Sequence, residues 1–346
     1  MNSSVGLSDP KIDALSKIYI STLSLSLIGS LSVIVVSIIR RKHLNEQVKP
    51  LLQLALADFL ASAVLMSTTA LNFMSVSYGI KVCETLLPLS LTFYCISFLL
   101  VIIYAFQSTH AAQGWREREE EGCEEQLRST RRKFIVVYIF VWVLPLIGYV
   151  IYVETVSLTM GGLIPTCKAN GGGENLWPTA KFCDSCLLFL HIRSDSCSSV
   201  EKGHDMFIRI FTLISVLSVL TTCTIVYCRL GSWYERYKQT YVFPVEGDGM
   251  SRKRLRGICS VSRCMVTIII LCWAPVLLLV SLSFTKIKQE DLFPLYVIQA
   301  LFVSLHGFLN SIVYAWRRRN FRDAVLGEQL PLLARAFFDQ SLSEPS

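Results

Sequence analysis

The chain has 346 residues and a formal net charge of +7, with 52% hydrophobic and 17% charged residues and a mean hydropathy of +0.49. That balance lies far outside the soluble norm and excludes a pair of water-soluble domains, the other arrangement the length allows. The positive charge falls between apolar runs, which suits anionic headgroups and argues against a nucleic-acid surface.

Seven apolar runs follow one another, at residues 18–39, 51–74, 86–106, 134–153, 206–228, 265–284 and 292–316. Each is close to the ~20 residues that cross a ~30 Å hydrocarbon layer. None alternates as a membrane β-barrel strand does. The expectation is an all-α membrane protein: a seven-transmembrane helix bundle with a short amphipathic eighth helix, integral and multi-pass in the plasma membrane or an endomembrane. Its parts are an extracellular N-terminus at 1–17, the bundle at 18–316, an amphipathic cytosolic helix at 317–328 and a cytosolic tail at 329–346. One set of alternate connections carries twenty-two Lys and Arg and the opposite set nine. The positive-inside rule then puts the N-terminus outside. The first 17 residues are polar and the first run is too long for a cleaved signal, so that run is expected to serve as its own anchor. Asn2-Ser3-Ser4 is a glycosylation sequon on the expected outer side.

In the first run Gly29 and Ser30 make a small-residue face for close helix approach. The second run holds Leu54-Ala55-Leu56-Ala57-Asp58, and a carboxylate that deep in apolar sequence is costly without partners, so Asp58 is a functional candidate. The alternative is that it only orders the bundle. Cys83 precedes the third run, which leads into Gln107-Ser108-Thr109 and then a mixed-charge stretch from Trp115 to Lys133 that suits a solvated helix or loop.

Trp142 and Pro145 mark the fourth run. The connection at 154–205 is the longest; it contains Gly171-Gly172-Gly173 and four cysteines, Cys167, Cys183, Cys186 and Cys197. With Cys83 they make an odd outer set, so one thiol is left over. Cys183, Cys186, His191 and Cys197 approach a zinc-knuckle spacing, but on the oxidising side disulfides are the stronger reading. Residues 187–192 read as a short apolar strand. Arg209, near the outer end of the fifth run, is placed to snorkel to the interface. Arg252, Lys253, Arg254 and Arg256 form a basic collar before the sixth run, a topology anchor or an effector-facing surface.

The sixth run contains Cys272-Trp273-Ala274-Pro275, where the proline removes a backbone donor and bends the helix beside a large indole. The seventh contains Asn310-Ser311-Ile312-Val313-Tyr314, followed by Arg317, Arg318, Arg319, Asn320, Phe321 and Arg322. Phe321, two turns past Tyr314, suits the lipid interface with the arginines on phosphates.

Together, Asp58, Cys83, the Cys272 to Pro275 motif and the Asn310 to Tyr314 motif resemble those of rhodopsin-like G-protein-coupled receptors. The resemblance covers residues 18 to 322. It implies that Asp58, Ser97, His306 and Asn310 form a polar core that holds a sodium ion, with His306 where an asparagine is usual. It implies that Cys83 is disulfide-bonded to the second outer loop, to one of Cys167, Cys183, Cys186 and Cys197. It implies an outer ligand pocket walled by Ser90, Phe93, Tyr94, Trp273, Tyr296 and Gln299, residues that core packing would explain equally. Trp273, Pro275 and Tyr314 take the switch positions. Ser90 stands where an amine-binding aspartate would, and Ser304 where a retinal-binding lysine would, so neither ligand is implied.

Two departures weigh against the usual transducer. Gln107-Ser108-Thr109 replaces Asp-Arg-Tyr and leaves no arginine for a heterotrimeric G protein, and Ser311 replaces the proline of the seventh helix. The two functional readings are an orphan receptor for an unknown extracellular ligand, and a non-signalling seven-helix scaffold or carrier that has lost the switch. No enzyme activity is expected: of His43, His110, His191, His204 and His306, only His306 lies well inside a run, too few to build a metal hydrolase.

Overall fold

Hydrocarbon offers the backbone no hydrogen-bonding partner, so an apolar run that long must satisfy its own amides and carbonyls by coiling into a helix. The computed structural model describes residues 7–39, 49–73, 79–117, 124–159, 185–191, 202–240, 249–285 and 287–317. Seven helices account for nearly all of them: α1 Asp9–Ile39, α2 Lys49–Leu71, α3 Gly79–Glu117, α4 Glu124–Thr159, α5 Lys202–Thr240, α6 Gly249–Ser283 and α7 Phe293–Arg317. All seven are long and apolar enough to cross a membrane. No strand occurs among the described residues. The sequon at Asn2, the cysteines Cys167, Cys183 and Cys197, and the expected eighth helix and tail from residue 318 lie outside them.

Most helices outrun their apolar cores. α1 begins at Asp9, nine residues before its run, and buries Ile12, Leu15 and Ser16 on the same face as Tyr19, Leu23 and Ser26. That face recurs every three or four residues, the period of one helical stripe. α3 and α5 likewise continue into polar sequence, to Glu117 and Thr240.

α1 packs between α2 and α7, α3 packs on α2, α4, α5 and α6, and α6 lies between α5 and α7. α4 is peripheral: only 6% of its apolar window is buried, against half of the windows of α2 and α7. The tightest seam is between α1 and α7. A Cβ added at Gly29 would meet Phe308 and Ser311 at 3.2–3.3 Å, and one added at Gly307 would meet Ser26 Oγ at 2.5 Å and Asp58 Cβ at 3.1 Å. Ser62 Oγ donates to Ser26 Oγ at 3.1 Å, tying α2 to the same seam. Small residues bring these backbones together where larger ones would hold them apart.

Pro88, Pro145 and Pro275 lie inside α3, α4 and α6. α7 has no such interruption at residue 311. A serine keeps the backbone donor that proline would remove, and Ser311 Oγ donates back to Gly307 O at 2.7 Å.

The strand expected at 187–192 is not formed. Residues 188–191 make a turn in which Leu190 N–H donates to Leu187 O at 3.3 Å. Phe189 has a φ of +62°, a left-handed conformation outside the β region that a regular strand occupies. Leu187, Leu188, Phe189 and Leu190 are all buried, so their hydrophobicity carries no strand alternation.

Candidate functional site

Asp58 on α2 is 1% exposed, and burial without hydrogen bonds would be prohibitive for a carboxyl group. Three other helical residues converge on it. Ser97 Oγ of α3 donates to Asp58 Oδ1 at 2.6 Å, and Asn310 Nδ2 of α7 donates to Oδ2 at 2.8 Å. His306, one turn before Asn310, holds Nε2 3.7 Å from Asp58 Oδ1, 3.4 Å from Ser97 Oγ and 3.2 Å from Asn310 Nδ2. α2, α3 and α7 therefore meet through one polar layer, and all four residues singled out from sequence stand in it.

Above that layer lies an aromatic one. The His306 ring is edge-on to Phe98 and Tyr94, each at 5.8 Å between centroids. Trp273 of α6 is edge-on to the same two rings, at 4.9 Å from Phe98 and 5.4 Å from Tyr94. Tyr94 donates its hydroxyl to Val303 O of α7 at 3.3 Å. Edge-to-face pairs of this kind contribute about 0.5–1.5 kcal/mol each beyond their area burial.

Of the pocket residues expected from sequence, Tyr94, Trp273, Tyr296 and Gln299 are buried, as is Ser90; Phe93 is half-buried. Ser90 Oγ donates to Leu87 O of its own helix at 2.8 Å, so its hydroxyl is turned back onto α3. Gln299 pairs with Tyr19, a residue the sequence did not single out. Gln299 Nε2 donates to the phenol oxygen at 2.9 Å, and the phenol's single proton has two acceptors within reach, of which Gln299 Oε1 at 3.1 Å is the nearer. Tyr19 OH also lies 3.4 Å from Leu188 O.

The segment at 185–191 covers this region and is buried throughout. Cys186 is disulfide-bonded to Cys83 at the start of α3, which selects one of the four expected partners. Cys186 N–H also donates to the Asn72 side chain at the end of α2. Phe189 reaches Trp273 edge-on, 6.3 Å between centroids. Leu187, Leu188, Phe189 and Leu190 are all buried; at roughly 1.5–3 kcal/mol for each such side chain taken from water, together they exceed the ~1–3 kcal/mol that a left-handed φ at Phe189 costs.

Pro275 is in α6, two residues beyond Trp273. Tyr314 is in α7 and Gln107, Ser108 and Thr109 are in α3, but their side chains lie outside the described residues. Toward the other end of α5 and α6, Arg263 Nη2 donates to Tyr227 OH at 2.9 Å with the guanidinium 4.8 Å from the ring centroid. Sequence reasoning missed this pair, although a lone cation just ahead of the sixth apolar run was a usable signal. Arg209 was expected at the interface. There it donates from Nη1 to Ser283 O at 3.0 Å, meeting a carbonyl at the end of α6.

The family model for transmembrane protein 116 matches residues 12–330. The chain belongs to the transmembrane protein 116 family. No curated protein matches it. This family member is an integral, multi-pass membrane protein, with seven helices among the described residues long and apolar enough to span. The family match covers every described residue of the polar layer, the aromatic layer and the covering segment.

Proposed function

We propose that this member of the transmembrane protein 116 family is built as a rhodopsin-like receptor, with the disulfide end of the bundle outside and a conformational switch at its centre. One observation carries the reading. An unbroken series runs from Phe189 in the covering segment to Trp273, then Phe98, His306 and Asp58, with successive separations of 6.3, 4.9, 5.8 and 3.7 Å. Movement at the outer end then has a packed route to the polar layer. Trp273 sits beside Pro275, the bend point of α6, so displacing the indole and pivoting that helix are one motion. Such a device needs two packings a few kcal/mol apart.

The polar layer also supports a sodium site. Asp58 supplies the carboxylate, Ser97 a hydroxyl, and Asn310 an amide whose Oδ1 has no partner among the described residues. Turning that amide over would present its oxygen to a cation at Asp58. A bound sodium would supply positive charge to the carboxylate and hold the layer in one arrangement.

A second reading, a non-signalling scaffold or carrier, is favoured by Gln107-Ser108-Thr109 and by the uninterrupted α7 at Ser311. We assign no enzyme activity under either reading. The separating experiment is a ligand-free G-protein dissociation panel in cells, comparing wild type with Asp58→Asn and Ser108→Arg. The switch reading expects basal output that Asp58→Asn alters and Ser108→Arg raises. Silence of all three proteins across every G-protein class supports the scaffold.

A further inference from the structure

We propose that the outer pocket takes its ligand from the same chain: residues 187–190, Leu-Leu-Phe-Leu, are the resident occupant of the site between α1, α6 and α7. The inference names the ligand of the proposed switch and rests on that reading for its consequence, though the occupancy stands on contacts alone.

Four features separate an occupant from a cover. First, the segment is buried to the level of the helix core: Leu187, Leu188 and Leu190 are each no more than 2% exposed, and Phe189 is 8% exposed. Second, it reaches the aromatic layer, because Phe189 meets Trp273, two residues before Pro275 of α6. Third, it makes a ligand's polar contact: Leu188 O is 3.4 Å from Tyr19 OH, and Tyr19 is fixed by Gln299 across the pocket. Fourth, Phe189 adopts a φ of +62°, a conformation a bulky residue keeps only where its surroundings demand it.

The segment is held at its start by two ties. Cys186 is bonded to Cys83 of α3, and its N–H is held by the Asn72 side chain of α2. A ligand tethered one residue from its anchor has an effective concentration of about millimolar or more. A free ligand must displace it before it can bind. The class of molecule able to do so is apolar with one central hydrogen-bond acceptor, matching the chemistry of the segment itself.

The test uses the full-length protein in nanodiscs. Benzoylphenylalanine at position 189 preserves an aromatic side chain, and photolysis followed by peptide mapping reads what it touches. A crosslink to the α6 peptide that carries Trp273 is expected, with none from the same probe at Ile147 on the exposed face of α4. A second measurement follows thiol modification of Gln299→Cys, corrected for the native cysteines. Phe189→Gly keeps the left-handed turn without strain but removes the ring, and it is expected to raise that rate about tenfold or more, as loss of a tethered occupant should. Absence of the α6 crosslink, or equal rates with and without Phe189, overturns the proposal. A crosslink that forms in a protein silent in the G-protein panel leaves the occupant in place and removes only the switch.

Discussion

Asn310 donates its side-chain amide to the carboxylate of Asp58 at 2.8 Å, joining two residues 252 positions apart in the chain. Both groups are shut off from bulk solvent, since Asp58 is 1% exposed and Asn310 fully buried. The bond therefore fixes how α7 lies against α2, and Ser97 extends the same constraint to α3.

The seam beside that layer sets a steric limit. Gly307→Ala forces a methyl group against Ser26 Oγ and Asp58 Cβ, whereas Gly148 has nothing within 4 Å of the equivalent position. Overpacking of this sort costs about 1–3 kcal/mol. Thermal unfolding in detergent is expected to show a clear loss for Gly307→Ala, no loss for Gly148→Ala, and partial recovery on adding Ser26→Gly.

The disulfide gives a different signature. Cys83→Ser and Cys186→Ser each remove the same bond, so each is expected to destabilise by about 2–5 kcal/mol and the double variant by no more than either single one. Melting of the three proteins under non-reducing conditions checks the equality.

Arg263 and Tyr227 join α6 to α5 through a hydrogen bond and a ring contact. A partly exposed cation over an aromatic ring contributes about 0.5–1 kcal/mol. Arg263→Gln is expected to raise backbone hydrogen exchange where these two helices meet and to leave the α1–α2 pair unchanged, as mass spectrometry of exchanged peptides would read.

Sodium at the polar layer predicts a salt effect of specific origin. Raising sodium at constant ionic strength, with choline as the replacement, is expected to stabilise the wild type and not Asp58→Asn. Equal responses in the two proteins would remove the ion from the layer.

Much of this was legible in the chain because membrane segments obey harsh rules. Seven apolar runs had to become helices, and an acid inside one of them had to find donors, which marked Asp58; its grouping with Ser97, His306 and Asn310 was what the resemblance to rhodopsin-like receptors implied. The ends of the helices were not legible, since α1 from Asp9 and α5 to Thr240 extend through sequence whose polarity marks solvent and not the end of a helix. Cys186 could not be told from three other cysteines, because pairing depends on where the loop runs. Phe189 defeated the strand reading for a physical reason: a turn buried on all sides has the composition of a strand without its geometry. Tyr19 with Gln299, and Arg209 with Ser283 O, join residues far apart in sequence, and no local pattern announces a partner on another helix.

The central claim is that one polar layer couples the second, third and seventh helices, and a double-mutant cycle on Asp58→Ala and Asn310→Ala tests it most directly. Each single change strands a buried group and is expected to cost about 1–3 kcal/mol in purified protein. The account predicts that the double variant loses little more than either single one, a coupling of about 1 kcal/mol or more. Losses that simply add, within about 0.5 kcal/mol, would mean the two side chains do not act together and would contradict it.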